Sequence, residues 1–333
     1  MHINEKTKIV VRCIIVVIVL SIALSCLNHI TMKKYSDNRY QELYSQEQEF
    51  EVLFLGTSHM LNAVSPMEMW KDYGIVSYNI ASPSSRIATS YWLLKNALQY
   101  TVPKLIVVDC AFLVDEKISP NLGALHMAID SIPFGKFKIQ AVCDLVSDWK
   151  ERLEMLIPFS VYHSRWDELE KNDFFYEYVP GKMGYVAEMG NQSVDLSEMK
   201  YQDDIEIDNV STVYLKKIIE ECKNQNIEVL LTYIPEQNSS VEENSYIKKL
   251  SEEYAIHFLG HNELAKVLNP ETDFANGDHL NPSGAGKMSH YLGGYIVENY
   301  AITDYRNDAA YDIWEQYYYD YLEYVESKKV DEK

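Results

Sequence analysis

The sequence predicts an α/β protein: a three-layer, doubly wound, mostly parallel sheet carried behind an N-terminal transmembrane helix. Three observations predict it. Short apolar runs recur along the chain, each closed by glycine or a polar turn. Segments of helical periodicity separate them, an alternation expected of parallel strands covered by helices on both faces. Ahead of all this stands one long apolar stretch, Ile9 to Leu27.

That stretch reads IVVRCIIVVIVLSIALSCL. At about 1.5 Å per residue its 19 residues reach across a hydrocarbon core of about 30 Å. Arg12 lies close enough to the start to snorkel toward head groups. A cleaved signal peptide would have a shorter apolar region and a small-residue cleavage site, which is not seen here. Cys26 has Ala23, not Leu, three residues before it, against a lipoprotein site. Residues 1–34 are therefore read as tail and uncleaved anchor. Lys6, Lys8 and Arg12 on one side balance Lys33, Lys34 and Arg39 on the other, so charge alone does not orient the span.

Residues 35–49 are polar and read as a stalk or short helix. EVLFLG at 51–56 then opens the main domain, 50–300, as a buried strand before a glycine turn. Ser65-Pro66-Met67-Glu68 reads as a helix start with Ser as N-cap and Glu closing a capping box. Gly74 ends that helix. IVSYNIA at 75–81 is a strand, 86–100 a helix, and KLIVVDC at 104–110 a strand. A helix over 210–224 leads to strands at 228–234 and 256–260. Asn281-Pro282 opens a last core helix, with Ala285, Met288, Leu292 and Ile296 at helical spacing. Residues 111–205 break the rhythm and read as an insertion capping the strand ends. In the tail, 301–333, Trp314, Tyr317, Tyr318, Tyr321 and Val325 share one helical face. That face would pack on the domain or offer an aromatic surface to a glycan or membrane protein.

Composition narrows the function. A formal net charge of −20 repels phosphate backbones, which excludes nucleic acid as an expected partner. The main domain holds Cys110, Cys143 and Cys222, an odd number without paired spacing, so neither a disulfide framework nor a zinc site is expected. His59, beside Ser58, reads as a residue that shapes the turn or faces solvent. His126, His163, His257, His261 and His290 lack ligand spacing, and no phosphate-binding glycine motif occurs. No metal or organic cofactor is expected.

Two segments carry chemistry. In FLGTSHM, 54–60, a strand ends in Gly56 and Ser58 follows two residues later. Parallel sheets bind ligands at the carboxyl ends of their strands, and backbone N–H groups after such a turn can face an oxyanion. In DFANGDHLNPSGAGK, 273–287, His279 sits in a loop just before the capped helix. A serine hydroxyl needs a base to take its proton as it attacks a carbonyl, and a histidine on a neighbouring loop supplies one.

GTSH after the first strand, with D-H-L-N-P-x-G-A near the end, resembles the SGNH/GDSL hydrolase superfamily over residues 50–300, whose sheet is flavodoxin-like. The single anchor resembles the D-alanyl-transfer proteins of lipoteichoic acid synthesis and the surface-polysaccharide O-acetyltransferases. YHSRWDEL at 162–169 is similar to a recurring feature of Gram-positive members of that set. The resemblance implies Ser58 as nucleophile and His279 as base. It implies an oxyanion hole from Ser58 and the 82–85 loop, through Ser84 and Ser85, with Ser84 where the family favours Gly. It also implies an extracellular main domain on a single-pass anchor, a cell-surface glycan or acylated polymer as substrate, and a membrane-bound acyltransferase as partner.

Two departures stand out. After the strand ending at Asp109 come Cys110, Ala111 and Phe112, with no Asn for the family's third oxyanion donor. The triad acid, usually three residues before the His, is Asn276, with Asp278 and Asp273 as nearby alternatives. Asn can orient an imidazole but supplies no charge. The sequence therefore supports an esterase or O-acyltransferase working through an acyl-serine, or a silent accessory or glycan-binding protein on the same scaffold.

Overall fold

The computed structural model describes residues 4–32, 40–45, 49–175 and 181–331. In chain order the first elements are α1 (Glu5–Thr31), α2 (Gln41–Ser45), β1 (Val52–Leu55), α3 (Ser58–Ala63), α4 (Pro66–Tyr73), β2 (Ser77–Asn79), α5 (Ile87–Ala97) and β3 (Leu105–Asp109). The insertion contributes α6 (Leu122–Ile129), α7 (Lys136–Leu145), α8 (Trp149–Leu156), α9 (Phe159–Tyr162), a 3-10 turn (His163–Asp167) and α10 (Lys171–Phe174). Then follow α11 (Val210–Asn224), β4 (Glu228–Thr232), α12 (Val241–Tyr254), β5 (His257–Leu259), α13 (His261–Leu264), α14 (Pro282–Asn299) and α15 (Ile313–Asp331).

The strands form one parallel sheet of order β2-β1-β3-β4-β5. The chain leaves β1 toward one edge and returns to build toward the other, so the switch point lies between β1 and β3, where such folds open a crevice. Side-chain alternation explains the three layers. Leu53 and Leu55 of β1 face one apolar cluster, with Ile106, Val108 and Leu231; Val52 and Phe54 face the other, with Leu105, Val107 and Leu230. A strand whose VLFL is buried on both faces has to be sandwiched by helices. The expected face of α14 holds: Ala285, Met288, Leu292 and Ile296 are all fully buried. Burying each of the three larger side chains stabilises the fold by about 1.5–3 kcal/mol.

α1 is long and apolar enough to cross a membrane, and the described apolar stretch is exposed along its length.

The structure departs from the sequence reading in several places. The capping box at 65–68 does not form: the Ser65 N–H donates to Ser289 Oγ at 2.8 Å, and Glu68 accepts from the Tyr321 hydroxyl at 3.0 Å. Pro66 at the first position and Gly74 at φ +68° delimit α4 without it. Part of the stalk is core: Tyr40 and Leu43 are buried, and the Tyr78 hydroxyl donates to Glu42 at 2.7 Å. The stalk's remaining positions 35–39 and 46–48, and the flanking cations Lys33, Lys34 and Arg39, lie outside the described residues. The sequence reading named no helix between β4 and β5, yet α12 provides that crossover, its N-cap Ser240 accepting from the Glu243 N–H at 3.1 Å. The aromatic face of α15 packs on the domain, with Trp314, Tyr321 and Val325 buried, so it is no free glycan surface.

The insertion divides in two. Its helices pack onto α5 and, through α9 and α10, onto α1. Its extended half runs along the carboxyl ends of the strands: Met183 O accepts from the Asn79 N–H, the Val186 N–H reaches Leu61 O, and the Gln192 N–H reaches Phe274 O.

Candidate active site

Ser58 is the first residue of α3, directly beyond β1. Gly56 makes that turn possible: at φ +154°, a Cβ there would lie 2.9 Å from the Cβ atoms of both Asp109 and Met60. The Thr57 side chain then caps the helix, accepting from the His59 N–H at 3.2 Å. As the first helical residue, Ser58 has an N–H with no partner inside α3.

The 273–281 segment is a pinched loop. Phe274 and Leu280 form an isolated antiparallel bridge, and the Ala275 N–H donates to His279 O at 2.8 Å. Asn281 closes the loop and caps α14, its Oδ1 accepting from the Ser283 and Gly284 N–H groups at 3.0 and 3.2 Å. The Gln237 N–H, beyond β4, donates to Gly277 O and fixes the loop to its neighbour.

Folding brings the two segments together across 221 positions: Ser58 Oγ lies 2.8 Å from His279 Nε2. The ring's other nitrogen, Nδ1, lies 3.0 Å from Asn276 Oδ1. The same oxygen accepts the backbone N–H groups of Asp278 and His279, at 3.0 and 3.1 Å. Two amide donors fix which amide atom of Asn276 faces the ring. An oxygen can only accept, so Nδ1 carries the proton and Nε2 is bare toward the Ser58 hydroxyl. That is the tautomer a general base requires. Asp278, the alternative acid, is exposed and makes no hydrogen bond to the ring. Asp273 is engaged elsewhere, in an ion pair with Lys287 at 2.6 Å.

Burial pushes the His279 pKa below the usual histidine range, opposed by the carboxylates of Glu188 and Asp278. Those two carboxylates supply through space part of the negative charge that Asn276 lacks.

The 82–85 loop is a turn closed by the Ser85 N–H donating to Ser82 O at 3.2 Å. Pro83 and Ser84 are its central residues, and Ser84 adopts φ +53°, a conformation that favours Gly. The Ser84 N–H is outside the turn's own bond. Ser85 is committed: its N–H closes the turn and its Oγ donates to Gly56 O at 2.9 Å. Of the three residues named for the oxyanion, the structure therefore leaves Ser58 and Ser84.

Several residues at the site were not singled out from sequence. His59 does not face solvent; it is buried, its ring 5.2 Å from Phe112 and 5.8 Å from His279. Burial first, then the neighbouring charges of His279 and Arg86, lowers its pKa to about 3. Its Nε2 lies 3.4 Å from Glu236, whose pKa is raised to about 7, mainly by burial. Near neutral pH His59 is therefore uncharged and the Glu236 carboxyl is about half protonated. Phe112 stands at φ +62°, strained for an aromatic residue, with the Arg86 guanidinium 4.3 Å over its ring. Arg86 also binds Asp115 at 2.8 Å and donates to Ser85 O at 3.1 Å, which ties the loops after β2 and β3. Position gave a signal for Glu236 and Phe112: both follow the carboxyl ends of strands.

Among the described residues no cluster of His, Cys, Asp and Glu is arranged to hold a metal ion. A cleft of about 730 Å³ beside Asp72, Glu263 and His290 shares no residue with the Ser58–His279 pair.

No protein-family model matches the sequence, and no curated protein matches it. Among solved structures, the chain is similar to a proposed acylhydrolase from Bacteroides fragilis NCTC 9343, at 11% identity, with a TM-score of 0.40 over 80% of this chain and 99% of that one. It is also similar to a GDSL-like lipase from Bacteroides thetaiotaomicron VPI-5482, at 11% identity, with a TM-score of 0.38 over 82% of this chain and 98% of that one.

Proposed function

We propose that this chain is a membrane-anchored serine esterase or O-acyltransferase of the SGNH kind. The observation that carries the reading is the relay from Asn276 Oδ1 through His279 to Ser58 Oγ, at 3.0 and 2.8 Å, in the tautomer that leaves Nε2 free.

Ser58 Oγ attacks an acyl carbonyl as its proton passes to His279 Nε2. The N–H groups of Ser58 and Ser84 receive the developing oxyanion. The imidazolium, held by Asn276 and favoured by the charges of Glu188 and Asp278, gives its proton to the departing alcohol oxygen. An acyl-Ser58 ester remains. His279 then takes a proton from water or a sugar hydroxyl as that group attacks the ester, and returns the proton to Ser58 Oγ as the acyl–Oγ bond breaks. The anchor favours an acylated cell-surface glycan or polymer as substrate, with the domain on the outer face and a membrane-bound acyltransferase as donor. These last three points rest on the resemblance of the GTSH and D-H-L-N-P motifs and the single span to the D-alanyl-transfer and O-acetyltransferase proteins.

The second reading is a silent accessory protein on the same scaffold. It is favoured by the uncharged Asn276 and by Phe112 near the end of β3, where the family's third oxyanion donor would stand. Turnover of an acetyl ester by wild type and by Ser58→Ala separates the two. The enzyme reading expects the variant to lose at least about 10³-fold in kcat; equal rates would remove Ser58 from the mechanism.

A further inference from the structure

We propose that the segment from α9 through α10 is a membrane-interface collar, whose exposed Trp166, Phe174 and Phe175 lie in the lipid head-group layer around the end of α1. The proposal rests on α1 being a bilayer span, and it adds a second, peripheral contact between domain and lipid.

Depth is set by what the collar grips. The apolar run of α1 ends at Leu27, and Asn28 to Thr31 extend only about 6 Å further along the helix. Those residues are the ones held. The Phe159 N–H donates to Asn28 Oδ1 at 2.6 Å. Arg165 Nη1 donates to the carbonyl oxygens of Thr31 and Met32, at 2.6 and 2.9 Å, capping the helix's last carbonyls. Its Nη2 donates to Asp173 at 3.0 Å. The collar is therefore fixed within about one helical turn of the hydrocarbon edge.

Its outer surface is mixed: Asp167, Glu168, Glu170 and Lys171 are exposed, and large aromatic rings are exposed alongside them. Arg165 and Asp173 are turned inward, Asp173 being 5% exposed. The apolar side chains are turned out: Trp166 is 64%, Phe174 48% and Phe175 75% exposed, and Val161 is partly exposed beside them. Charged groups rarely go inside while large aromatics stay outside in aqueous surroundings. At head-group depth the arrangement is the ordinary one, because indole and phenyl rings settle at the membrane interface. Continuity with α1 selects lipid over a protein partner. With a chain charge of −20, attachment comes from ring insertion rather than from attraction to anionic lipid, so it depends little on salt.

The test uses the full chain in phosphatidylcholine nanodiscs whose acyl chains are brominated near the head group, since bromine quenches indoles at that depth. Wild type loses fluorescence relative to unbrominated discs, and most of that loss disappears in Trp166→Phe. In the same discs a water-soluble maleimide leaves Cys13, within α1, unlabelled. Labelled Cys13 overturns the span on which the proposal stands. Protected Cys13 with quenching that is absent, or unchanged in Trp166→Phe, overturns the collar alone. Trp166 shielded from acrylamide yet untouched by bromine would mean that protein covers it, which also overturns the collar.

Discussion

At the carboxyl edge of the sheet, separate loops bring Ser58, Ser84, Glu236 and His279 to one place; at the end of α1, a single insertion winds past that apolar helix and turns aromatics outward. The first region inherits its geometry from topology. The loops of Ser58, Ser84 and Glu236 follow strands of the sheet, and the His279 loop is pinned to the Glu236 loop by the Gln237 N–H donating to Gly277 O. The second region has no such frame. Its order depends on a few polar contacts, chiefly those of Arg165. The comparison teaches that the Ser58–His279 site is placed by regular structure and the proposed collar by irregular structure, so damage to one should leave the other intact.

The largest effect that would sharpen this contrast is at Asn276. Asn276→Ala frees Nδ1 and removes the acceptor that fixes the tautomer. Ester turnover is expected to fall by about 10²–10⁴-fold, judged against the effect of disturbing the same element in serine proteases. Quenching at Trp166 should not change. Asn276→Asp acts oppositely: it adds charge beside the ring and should raise kcat. The pH profile gives the sign. Wild-type His279 has a lowered pKa, so it stays a neutral base to below about pH 6.5, and the acid limb of kcat/KM lies there. The Asp variant favours the imidazolium, so its acid limb moves to higher pH. An unmoved limb would mean that residue 276 does not face the titrating ring.

Next in size is Arg165→Ala. It removes the guanidinium from the last carbonyls of α1 and from Asp173, which keeps the Glu170 N–H at 2.9 Å, a local cost of about 1–3 kcal/mol. Proteolysis within 159–175 should accelerate about tenfold or more. Turnover of a soluble ester should stay at the wild-type level. A parallel loss of activity would show that the two regions are one cooperative unit.

The smallest effect concerns Asp109, under the site at the end of β3. It is fully buried and accepts from the Ile234 N–H at 2.9 Å, and burial raises its pKa to about 8. A carboxyl whose folded pKa lies above its unfolded one binds more protons in the native state. Its contribution is complete below about pH 4 and is lost as pH rises through about 8. Asp109→Asn keeps the acceptor oxygen and removes the titration. The fall of Tm between pH 6 and pH 9 should therefore be shallower in the variant; equal slopes would mean that Asp109 does not titrate in that window.

The regular region was also the legible one. VLFL in β1 and LIVVD in β3 are buried on both faces, and continuous apolar runs of that length mark parallel strands. α14 followed from its Asn281-Pro282 cap and its apolar periodicity. α12 escaped notice although Ser240 and Glu243 have capping-box spacing, because its interior is rich in Glu, Lys and Ser and its apolar stripe is thin. Ser58, His279 and Asn276 were readable from motif spacing. What spacing leaves open is which atom of Asn276 meets the ring, because backbone donors from its own loop decide that. The buried His59–Glu236 pair and the strained Phe112 were not legible, since burial and positive φ arise only when distant loops close on each other. The collar was least legible of all. YHSRWDEL is recognisable as a string, but its role depends on the last carbonyls of a helix more than 130 positions away.

The central claim is that Ser58 becomes acylated with His279 as its base. Intact-protein and peptide mass spectrometry after rapid quenching from an activated acetyl ester tests it most directly. The account predicts one acetyl adduct on the peptide carrying Ser58, formed slowly below the pKa of His279 and absent in Ser58→Ala. Ester turnover with no adduct there, or with the acetyl group on another residue, would contradict it.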